Sequence, residues 1–420
     1  MTDYRIAALC ETREARELFA LIASEAKAER PRAIAASGLP VPLLSLLVRE
    51  GCRVLAPDHP AVVFVGDGAT AARIAGELQA DGLRAAAYLP REYVLYHVTA
   101  SHEAERARLA VLSALLERRL DVVVTTPAAA LGYTVPRERL RARTLTIRPG
   151  DTLSPEALCR VLADCGFLSV GAVEGAGQFA HRGGIVDFSA DGDALPVRVE
   201  FFGDEVDRVG SFDPLTQRLT EALSEAAVFP AREVIPDAEA RLRVCAEVEK
   251  RQKKLDNDET KRALDAELAV LRSDAEVRFA DKYIDLIYPE KETLLSYLAD
   301  YGAMPTFLLN ASDLTAGLSL AVTECHDREA PLIAEGLLAK GYTTMAPTEA
   351  YAAFATAGMP IYCNTFAAPP SGTRLAGLFG FSCRGTVAYA EKPHLLTEDL
   401  SAYKKGGYRV VLLCRTSDLF

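Results

Sequence analysis

Between residues 31 and 150, short apolar runs alternate with longer segments whose apolar residues recur at helical spacing. "RAIAA", "AVVFVGD" and "DVVVTT" are nearly continuous apolar runs, whereas Gly68 to about Ala80 and "SHEAERARLAVLSALLERR" have a helical period. A strand that is apolar on both faces is buried on both faces, as in a parallel sheet covered by helices on each side. The sequence therefore predicts an α/β fold, with Ser101 as the N-cap of the latter helix.

The pattern changes between residues 144 and 229. One predicted helix, Ser154–Cys165, precedes several short strands that are separated by glycine-containing turns. The predicted strands are Phe167–Val173, Gln178–Arg182, Ile185–Phe188, Val197–Phe202 and Glu205–Phe212. This arrangement predicts a small α+β domain inserted into the α/β domain.

After the insertion, residues 238–272 are highly charged and are predicted to form a solvated helix or helix pair. "PTFLLN" is another apolar strand, "AAPPSGTRLAG" is predicted to be a linker, and "GTVAYAEK" and "YRVVLLC" begin a further α/β unit. We therefore predict four segments: 1–143, the first part of the α/β domain; 144–229, the insertion; 230–370, the second part; and 380–420, an incomplete domain. The incomplete last unit predicts that the chain is a fragment of a longer protein.

Charge and cysteine usage exclude several classes of protein. The net charge of -11 and the pI near 5.3 argue against a protein that holds DNA by neutralising many phosphates. The nine cysteines are dispersed without a CxxC pair, which favours a reducing cytoplasm, and we predict no metal site. The N-terminus lacks the pattern of a signal peptide, and no apolar run of about 18 residues occurs. We therefore expect a cytoplasmic protein with no membrane contact.

The segment "ASGLPVPLLSLL" follows the first strand, where an α/β NTPase carries its phosphate loop. Such a loop holds phosphates with backbone N–H groups and a lysine, and holds Mg²⁺ with a serine or threonine. Gly38 and Ser45 stand near the right ends, but Leu44 falls where the lysine should be. Pro40 and Pro42 also remove backbone donors. The phosphate loop is therefore predicted to be degenerate and without function.

The later strand "PTFLLN" departs from the NTPase pattern in the same way. A strand that handles Mg²⁺ ends in adjacent carboxylates, whereas this strand continues into Ala311 and Ser312 before the first carboxylate, Asp313. The two degenerate motifs together predict a chain with no catalytic residue and no cofactor.

Three segments, "RGGIVDF", "LPVRVEFFGDEVDRVGSFDPLTQR" and "VVVTTPAAALGYTVP", resemble the N-terminal half of the bacterial transcription-repair coupling factors, known as Mfd. That half is homologous to the excision-repair helicase UvrB. The resemblance implies a degenerate P-loop NTPase-like (UvrB-like) parallel-sheet domain, split by the inserted small α+β domain and followed by a partial α/β domain. In the terms of that family, residues 1–143 are domain 1A, 144–229 domain 2, 230–370 domain 1B and 380–420 the start of domain 3.

The resemblance also implies a function. The chain is expected to recruit the UvrA protein without catalysis, and so to link stalled RNA polymerase to nucleotide excision repair. Full-length members of the family are ATP-dependent DNA translocases. They are expected to bind RNA polymerase and DNA through parts absent from this chain, and to cover the UvrA-binding surface with a C-terminal autoinhibitory domain.

The alternative is a UvrB-like, NTP-dependent DNA repair helicase domain. The missing lysine and the missing paired carboxylates argue against it. UvrB also inserts a long tyrosine-rich hairpin, for which the region around Tyr93 and Tyr96 leaves no room. These two tyrosines are predicted to serve in packing rather than in base stacking.

Four residues are assigned to UvrA binding by the resemblance. Arg182 aligns with an arginine of UvrB that contacts UvrA, Arg198 and Glu200 align with another contact pair, and Phe179 is assigned to the same surface. Strand alternation places Arg198 and Glu200 on one face, and Arg182 joins that face from a neighbouring strand, with Gly183–Gly184 as a tight turn. The other interpretation is a solvated sheet face whose ion pairs contribute little.

The surface departs from that of UvrB at two further positions. Arginines of UvrB align with Ala180 and Ser169 here, so the predicted set of contacts is smaller.

Overall fold

The computed structural model describes residues 4–55, 60–91, 93–95, 102–190, 195–273, 275–366, 373–383, 389 and 393–410. The strands of this part of the chain are β1 (Ala33–Ser37), β2 (Ala61–Phe64), β3 (Ala85–Tyr88), β4 (Val122–Thr125), β5 (Leu145–Ile147), β6 (Leu168–Ser169), β7 (Gln178–Arg182), β8 (Ile185–Ser189), β9 (Val197–Phe202), β10 (Glu205–Phe212), β11 (Leu219–Ala222), β12 (Ala226–Val228), β13 (Pro305–Leu309), β14 (Met359–Asn364) and β15 (Leu375–Gly380).

The helices are α1 (Tyr4–Cys10), α2 (Arg13–Glu25), α3 (Val41–Val54), α4 (Gly68–Ala80), α5 (Glu103–Leu116), α6 (Pro127–Leu131), α7 (Arg137–Ala142), α8 (Pro155–Asp164), α9 (Ala238–Gln252), α10 (Asp258–Leu271), α11 (Ile284–Ile287), α12 (Leu294–Ala299), α13 (Ala311–Ala334), α14 (Thr348–Ala357) and α15 (Pro393–Lys405), with a 3-10 helix at Ala280–Tyr283. The chain divides into two compact units: residues 56–361, and residues 1–55 together with 362–420.

A parallel sheet in the order β13-β2-β4-β3 forms the centre of the 56–361 unit. Its strands β2, β4 and β13 are buried along their whole length, as the continuous apolar runs predict. β13 pairs with β2 although the whole insertion separates the two strands in the chain. The parallel-sheet domain is therefore split by an inserted segment, as predicted.

The predicted helices of this unit begin at identifiable caps. The Asp67 carboxylate accepts a hydrogen bond from the backbone of Thr70 at the start of α4, whose bounds are those predicted. The helix α5 begins after His102, and the predicted cap, Ser101, lies outside the described residues.

The insertion contains a six-stranded sheet in the order β11-β10-β9-β8-β7-β6. Neighbouring strands are antiparallel except for β6 and β7, which are parallel. The strands β5 and β12 pair antiparallel, so the chain enters and leaves the insertion at adjacent points. The strands β7, β9 and β10 have the predicted bounds, whereas the predicted Phe167–Val173 shortens to β6, since the chain bends at residues 171–172.

The charged segment 238–272 forms the two helices α9 and α10, as predicted, but the prediction of solvated helices is incomplete. Each helix buries one apolar face, which includes Leu264 and Leu268 in α10. Lys282 donates a 2.6 Å hydrogen bond to the Glu267 carboxylate of α10, and both side chains are buried. The helix α10 is thus fixed by its apolar stripe and by a buried ion pair.

In the other unit, β1 and β15 pair in parallel. The sequence "AAPPSGTRLAG" was predicted to be a linker, and this is wrong for its last three residues, which begin β15. The strand β15 also lies close to Leu21 of α2. Gly377 permits this close contact, because a Cβ atom at this position would lie only 2.7 Å from the Leu21 side chain. "GTVAYAEK" lies outside the described residues except for Tyr389, and 408–410, the described start of "YRVVLLC", forms no strand.

Candidate interaction surface of the inserted domain

The two faces of the six-stranded sheet differ in chemistry. One face packs on α8 and is apolar, with Val186, Phe188 and Val199 fully buried. Phe179 belongs to this core at 5% exposure. The structure therefore places Phe179 on the side of the sheet away from Arg182, where it supports β7 by packing.

The opposite face carries the predicted arginines. In the register of the sheet, Asp187 of β8 lies opposite Arg198 of β9, and Ile185 lies between Arg182 of β7 and Glu200 of β9. Side chains of these positions share one face. The structure thus brings Arg182, Arg198 and Glu200 together, as the alternation predicts.

The Asp187 carboxylate of β8 binds both Arg182 and Arg198. Its carboxylate is 1% exposed and accepts hydrogen bonds from Arg198 Nε at 2.7 Å and from Arg198 Nη2 at 2.8 Å. Arg182 Nη2 donates to the same carboxylate at 2.8 Å. A planar guanidinium that forms two parallel bonds to a carboxylate is the strong form of this pairing, so Asp187 fixes the position of Arg198 and also binds Arg182.

Arg198 is mostly covered. Its side chain is 11% exposed, lies over the ring of Phe212 at 4.5 Å, and donates to the main-chain oxygen of Gln217 at 3.0 Å. The hydrogen bond to Asp187 raises the pKa of Arg198. The observed role of Arg198 is to join β9 to the segment that contains Gln217, and its contact with a partner stays a prediction.

Arg182 is accessible. Its side chain is 48% exposed, and Nη2 also donates to the Gln217 side chain at 3.0 Å. Gly183 follows at φ +59, a conformation that favours glycine, and the two glycines form a two-residue hairpin turn. The turn predicted beside Arg182 is therefore confirmed.

Glu200 is half-buried and forms a weak pair. It lies opposite Arg208 of β10, whose Nη1 is 3.9 Å from the Glu200 carboxylate. An accessible pair at this distance contributes at most about 1 kcal/mol. Glu200 is therefore available to another ligand.

Sequence reasoning missed Asp187 and Gln217. A two-residue turn at 183–184 sets Arg182 opposite Ile185, and alternation then places Asp187 on the face of Arg182. That signal was present in the sequence. The position of Gln217 had no such signal, because the loop that holds it returns to the sheet after β10.

The two departures from UvrB differ in position. Ala180 is 1% exposed and packs with Val173 and Phe212, so it is not on the open surface. Ser169 of β6 is exposed.

The degenerate phosphate loop is closed by the chain itself. Gly38 has φ +84, and its N–H donates to the Asn364 carbonyl at 3.1 Å. A side chain at Gly38 would come within 1.9 Å of the Phe381 carbonyl oxygen, so this backbone lies directly against the glycine. Leu44 and Ser45 are buried at 1% and 5% exposure. The loop therefore presents neither a cation nor an open cradle.

The end of β13 is closed in a similar way. Asn310 has φ 52 and precedes α13. A side chain on Gly66 would lie 2.9 Å from the Cβ of Asp313, so the first turn of α13 packs against the backbone after β2. In the described residues, no set of three or more histidine, cysteine, aspartate or glutamate side chains is arranged to hold a metal ion. No described helix has the length and apolar character needed to cross a membrane.

A buried charge network lies where the chain leaves the insertion. The Glu233 carboxylate is fully buried and accepts from Arg108 Nε at 3.1 Å and Nη2 at 3.0 Å. Arg91 Nε lies 3.0 Å from Glu233, and Arg91 also donates to Asp281 at 2.9 and 3.1 Å. Thr134 donates its hydroxyl to Glu233. The network ties the segment after β12 to α5 and to the 3-10 helix.

Glu105 of α5 extends this network. Its carboxylate accepts from Arg232 Nε at 3.0 Å and from the backbone N–H of Glu233, and pairs with His102 at 3.0 Å. Burial opposes the ionisation of Glu105, but the His102 hydrogen bond and the charges of Arg91 and Arg232 outweigh it and hold its pKa at about 2.

Tyr93 lies beside the network and donates its hydroxyl to the Tyr133 carbonyl at 3.0 Å. Burial raises the pKa of Tyr93 to about 12. This tyrosine serves in packing, as predicted, whereas Tyr96 lies outside the described residues.

A parallel α/β sheet split by a small inserted sheet domain is consistent with a UvrB-like architecture. The UvrB interaction domain family matches residues 145–234. The Transcription-repair-coupling factor of Bacillus subtilis is 30% identical over 209 residues, which is 48% of this chain and 18% of that protein. UvrABC system protein B of Agathobacter rectalis is 30% identical over 167 residues, 39% of this chain and 25% of that protein. The corresponding protein of Legionella pneumophila is 28% identical over 214 residues, 47% of this chain and 32% of that protein.

These similarities confirm the resemblance to the N-terminal region of the coupling factors and to UvrB. The matched region spans less than a third of the length of each of these relatives.

Proposed function

We propose that this chain is a non-catalytic module that recruits UvrA in nucleotide excision repair, within a protein that couples repair to stalled RNA polymerase. The observation that carries the proposal is the match of residues 145–234 to the UvrB interaction domain. The relatives of the chain include both a coupling factor and UvrB proteins, and the matched family domain coincides with the insertion. A partner of both proteins would therefore dock on it.

Arg182 and Glu200 are the residues to which we assign direct contact with UvrA. Arg182 is half exposed, and within the described residues only its Nη2 is engaged, which leaves Nε and Nη1 to bind a carboxylate. Arg198 and Phe179 act by holding Arg182 and β7 in place, since both side chains are largely buried.

Calorimetric titration of the chain with UvrA tests the proposal. We expect Arg182→Ala to weaken binding by about fivefold or more, which corresponds to about 1 kcal/mol, and Glu200→Ala to weaken it less. Arg160→Ala is the matched control, because Arg160 is an exposed arginine on α8, which packs on the other face of the sheet. UvrA binding that is absent, or that is unchanged by both contact variants, would contradict the proposal.

The absence of catalysis is proposed from the closed phosphate loop. The Phe381 carbonyl lies against Gly38, and a buried leucine, Leu44, replaces the lysine. A ligand that binds the native state raises the melting temperature. We expect no rise with ATP and Mg²⁺, and no phosphate release above buffer. A saturable rise with ATP would favour the UvrB-like NTP-dependent helicase domain instead.

The resemblance implies that other parts of the coupling factors bind RNA polymerase and DNA. It also implies that a C-terminal autoinhibitory domain covers the UvrA-binding surface. We therefore expect a separately produced C-terminal domain of a coupling factor to compete with UvrA for this chain. Additive binding of the two would contradict this part of the proposal.

A further inference from the structure

A cavity of about 450 Å³ lies where the insertion meets the α/β domain and the helix α9. Its walls include α5, the segment that follows β12, and the chain on either side of β6. A volume of this size is typical of sites that hold small organic ligands. Neither Arg182 nor Glu200 lines this cavity, so it is separate from the residues that we assign to UvrA contact.

Arg106 of α5 reaches the cavity with an unpaired guanidinium. Within the part of the chain that the structure describes, its side chain forms no hydrogen bond and no ion pair. The guanidinium lies against the insertion, because a Cβ atom on Gly177 would be 3.6 Å from Arg106 Nη1. Gly177 has no side chain to cover these donors, and it adopts φ +74, which favours glycine.

Arg232 contributes a second donor from the segment after β12. Its side chain is only 10% exposed, Nε donates to Glu105 at 3.0 Å, and Nη1 donates to Glu276. Its Nη2 has no acceptor among the described residues. Gly166 allows this placement, since a Cβ atom on that glycine would lie 2.8 Å from Arg232 Cγ. A mostly buried guanidinium therefore has one nitrogen left for a ligand.

Gln178 supplies a third donor, whose direction is fixed. Its Oε1 accepts from the backbone N–H of Glu174 at 3.0 Å and of Gly175 at 3.1 Å. Because the oxygen is engaged in this way, the Nε2 group is the end of the amide that remains. No described residue accepts from it.

The three donors lie close together. The Cβ position of Gly177 that is near Arg106 also lies 3.7 Å from the Cβ of Ala231. Gln178 follows Gly177 in the chain, and Arg232 follows directly after the alanine. Unpaired donors around one cavity fit a ligand that accepts hydrogen bonds and carries negative charge.

The charges around the cavity favour a ligand with a single negative charge. Arg232 and Arg278 are paired with glutamates. Arg241 donates to carbonyl oxygens at the end of α10 and just beyond it. The guanidinium that has neither a counter-charge nor an acceptor is that of Arg106. One carboxylate matches it, because a planar guanidinium binds a carboxylate through two parallel hydrogen bonds.

Apolar side chains line the rest of the cavity. Phe167, Val234 and Val277 are buried, whereas Leu168 is 59% exposed. A ligand with an apolar body would remove part of this surface from water, which is favourable.

We propose that this cavity binds a small monocarboxylate with an apolar body, that Arg106 binds the carboxylate, and that Arg232 and Gln178 donate further hydrogen bonds to it. The site goes beyond the recruitment of UvrA and does not depend on it.

The experiment is a titration of the whole chain with N-acetyl-phenylalanine, followed by calorimetry and by the melting temperature. The matched probe is N-acetyl-phenylalanine amide, which has the same apolar body without the charge. We expect a saturable rise in melting temperature with the acid and none with the amide. Phenyl phosphate, which carries nearly two negative charges at pH 8, should bind more weakly than the acid.

Arg106→Gln should weaken binding of the acid by about tenfold or more, because it removes hydrogen bonds to a charged group, and Gln178→Ala should weaken it less. Since Arg106 has no partner among the described residues, Arg106→Gln should leave the melting temperature of the ligand-free chain unchanged. Arg119→Gln is the matched control, because Arg119 follows α5, pairs with Glu117 and does not line the cavity.

Four results would overturn the proposal. Equal binding of the acid and the amide would mean that the carboxylate is not recognised, and tighter binding of phenyl phosphate would mean that the site takes a dianion. Binding that Arg106→Gln leaves unchanged would place the acid elsewhere on the chain. No binding of the acid at millimolar concentrations would leave the cavity without this ligand. Loss of binding in Arg106→Gln, with binding retained in Arg119→Gln, supports the assignment.

Discussion

Replacing Glu233 with glutamine removes one negative charge from the network at the end of the insertion. Glu233 is fully buried, and Arg108 is 2% exposed. Two of the three guanidinium nitrogens of Arg108 donate hydrogen bonds to the Glu233 carboxylate. The third nitrogen of Arg108 donates to the Leu89 carbonyl, so no other carboxylate among the described residues bonds this guanidinium. Arg91 would keep Asp281. The cost of the substitution therefore falls mainly on Arg108.

The magnitude follows from this geometry. Breaking one side of a buried ion pair costs about 3–5 kcal/mol, since the remaining charge is buried without compensation. Because Arg91 retains Asp281 as a partner, we expect a cost at the lower end of this range. Glu233→Gln should lower the free energy of unfolding by about 3 kcal/mol. Arg108→Met combined with Glu233→Gln should cost less than Glu233→Gln alone, because the double variant leaves one fewer buried charge unpaired.

Urea unfolding followed by circular dichroism measures this loss, since the chain contains no tryptophan. The transition of the 56–361 unit should move to lower urea with an unchanged slope. Glu77→Gln is the control, because Glu77 pairs with Arg73 at 41% exposure of both side chains and should cost no more than about 0.5 kcal/mol. A cost below about 1 kcal/mol for Glu233→Gln would refute the reasoning.

Three further predictions follow from single residues. Gly38→Ala should destabilise the unit formed by residues 1–55 and 362–420, and Gly82→Ala serves as its control in the 56–361 unit. Hydrogen exchange should show that Gly38→Ala costs about 1–3 kcal/mol more than Gly82→Ala. Both glycines have positive φ, but only Gly38 faces a backbone atom, the Phe381 oxygen, within 4 Å. The pKa of Glu105 is about 2 in the folded chain against an ordinary 4.5, so its ionised form stabilises the fold above pH 4.5 and this stability is lost as the pH falls towards 2; Glu105→Gln should flatten that part of the stability–pH curve. Burial raises the pKa of the Cys363 thiol to about 12, so a thiol reagent at pH 8 should label it at the rate of unfolding.

The sequence predicted those strands best whose signals are local. Gln178–Arg182, Val197–Phe202 and Glu205–Phe212 combine alternation with glycine turns, and the structure has the same bounds. β15 was missed because its partner, β1, is far away in the chain and its first residues follow a proline- and glycine-containing run. Non-local pairing of this kind leaves no trace in local periodicity.

For the candidate site too, the sequence predicted the features that depend on local pattern and missed those that depend on other segments. Alternation identified the face that Arg182, Arg198 and Glu200 share, because the period of a strand fixes it. It could not predict that Arg198 is covered, because a loop from beyond β10 covers it. Burial of a strand face depends on which distant segment lies over it, and a single sequence does not encode this in its local pattern.

The buried and accessible arginines of this face explain how one surface combines rigidity with availability. Asp187 is an acceptor for both guanidinium groups, but it forms two bonds with Arg198 and one with Arg182. Arg198 thereby neutralises a buried carboxylate whose unpaired charge would destabilise the fold. Arg182 binds Asp187 and Gln217 through Nη2 alone, so its Nε and Nη1 groups are not used in these contacts. The accessible arginine is therefore available to a partner because the buried one satisfies the aspartate.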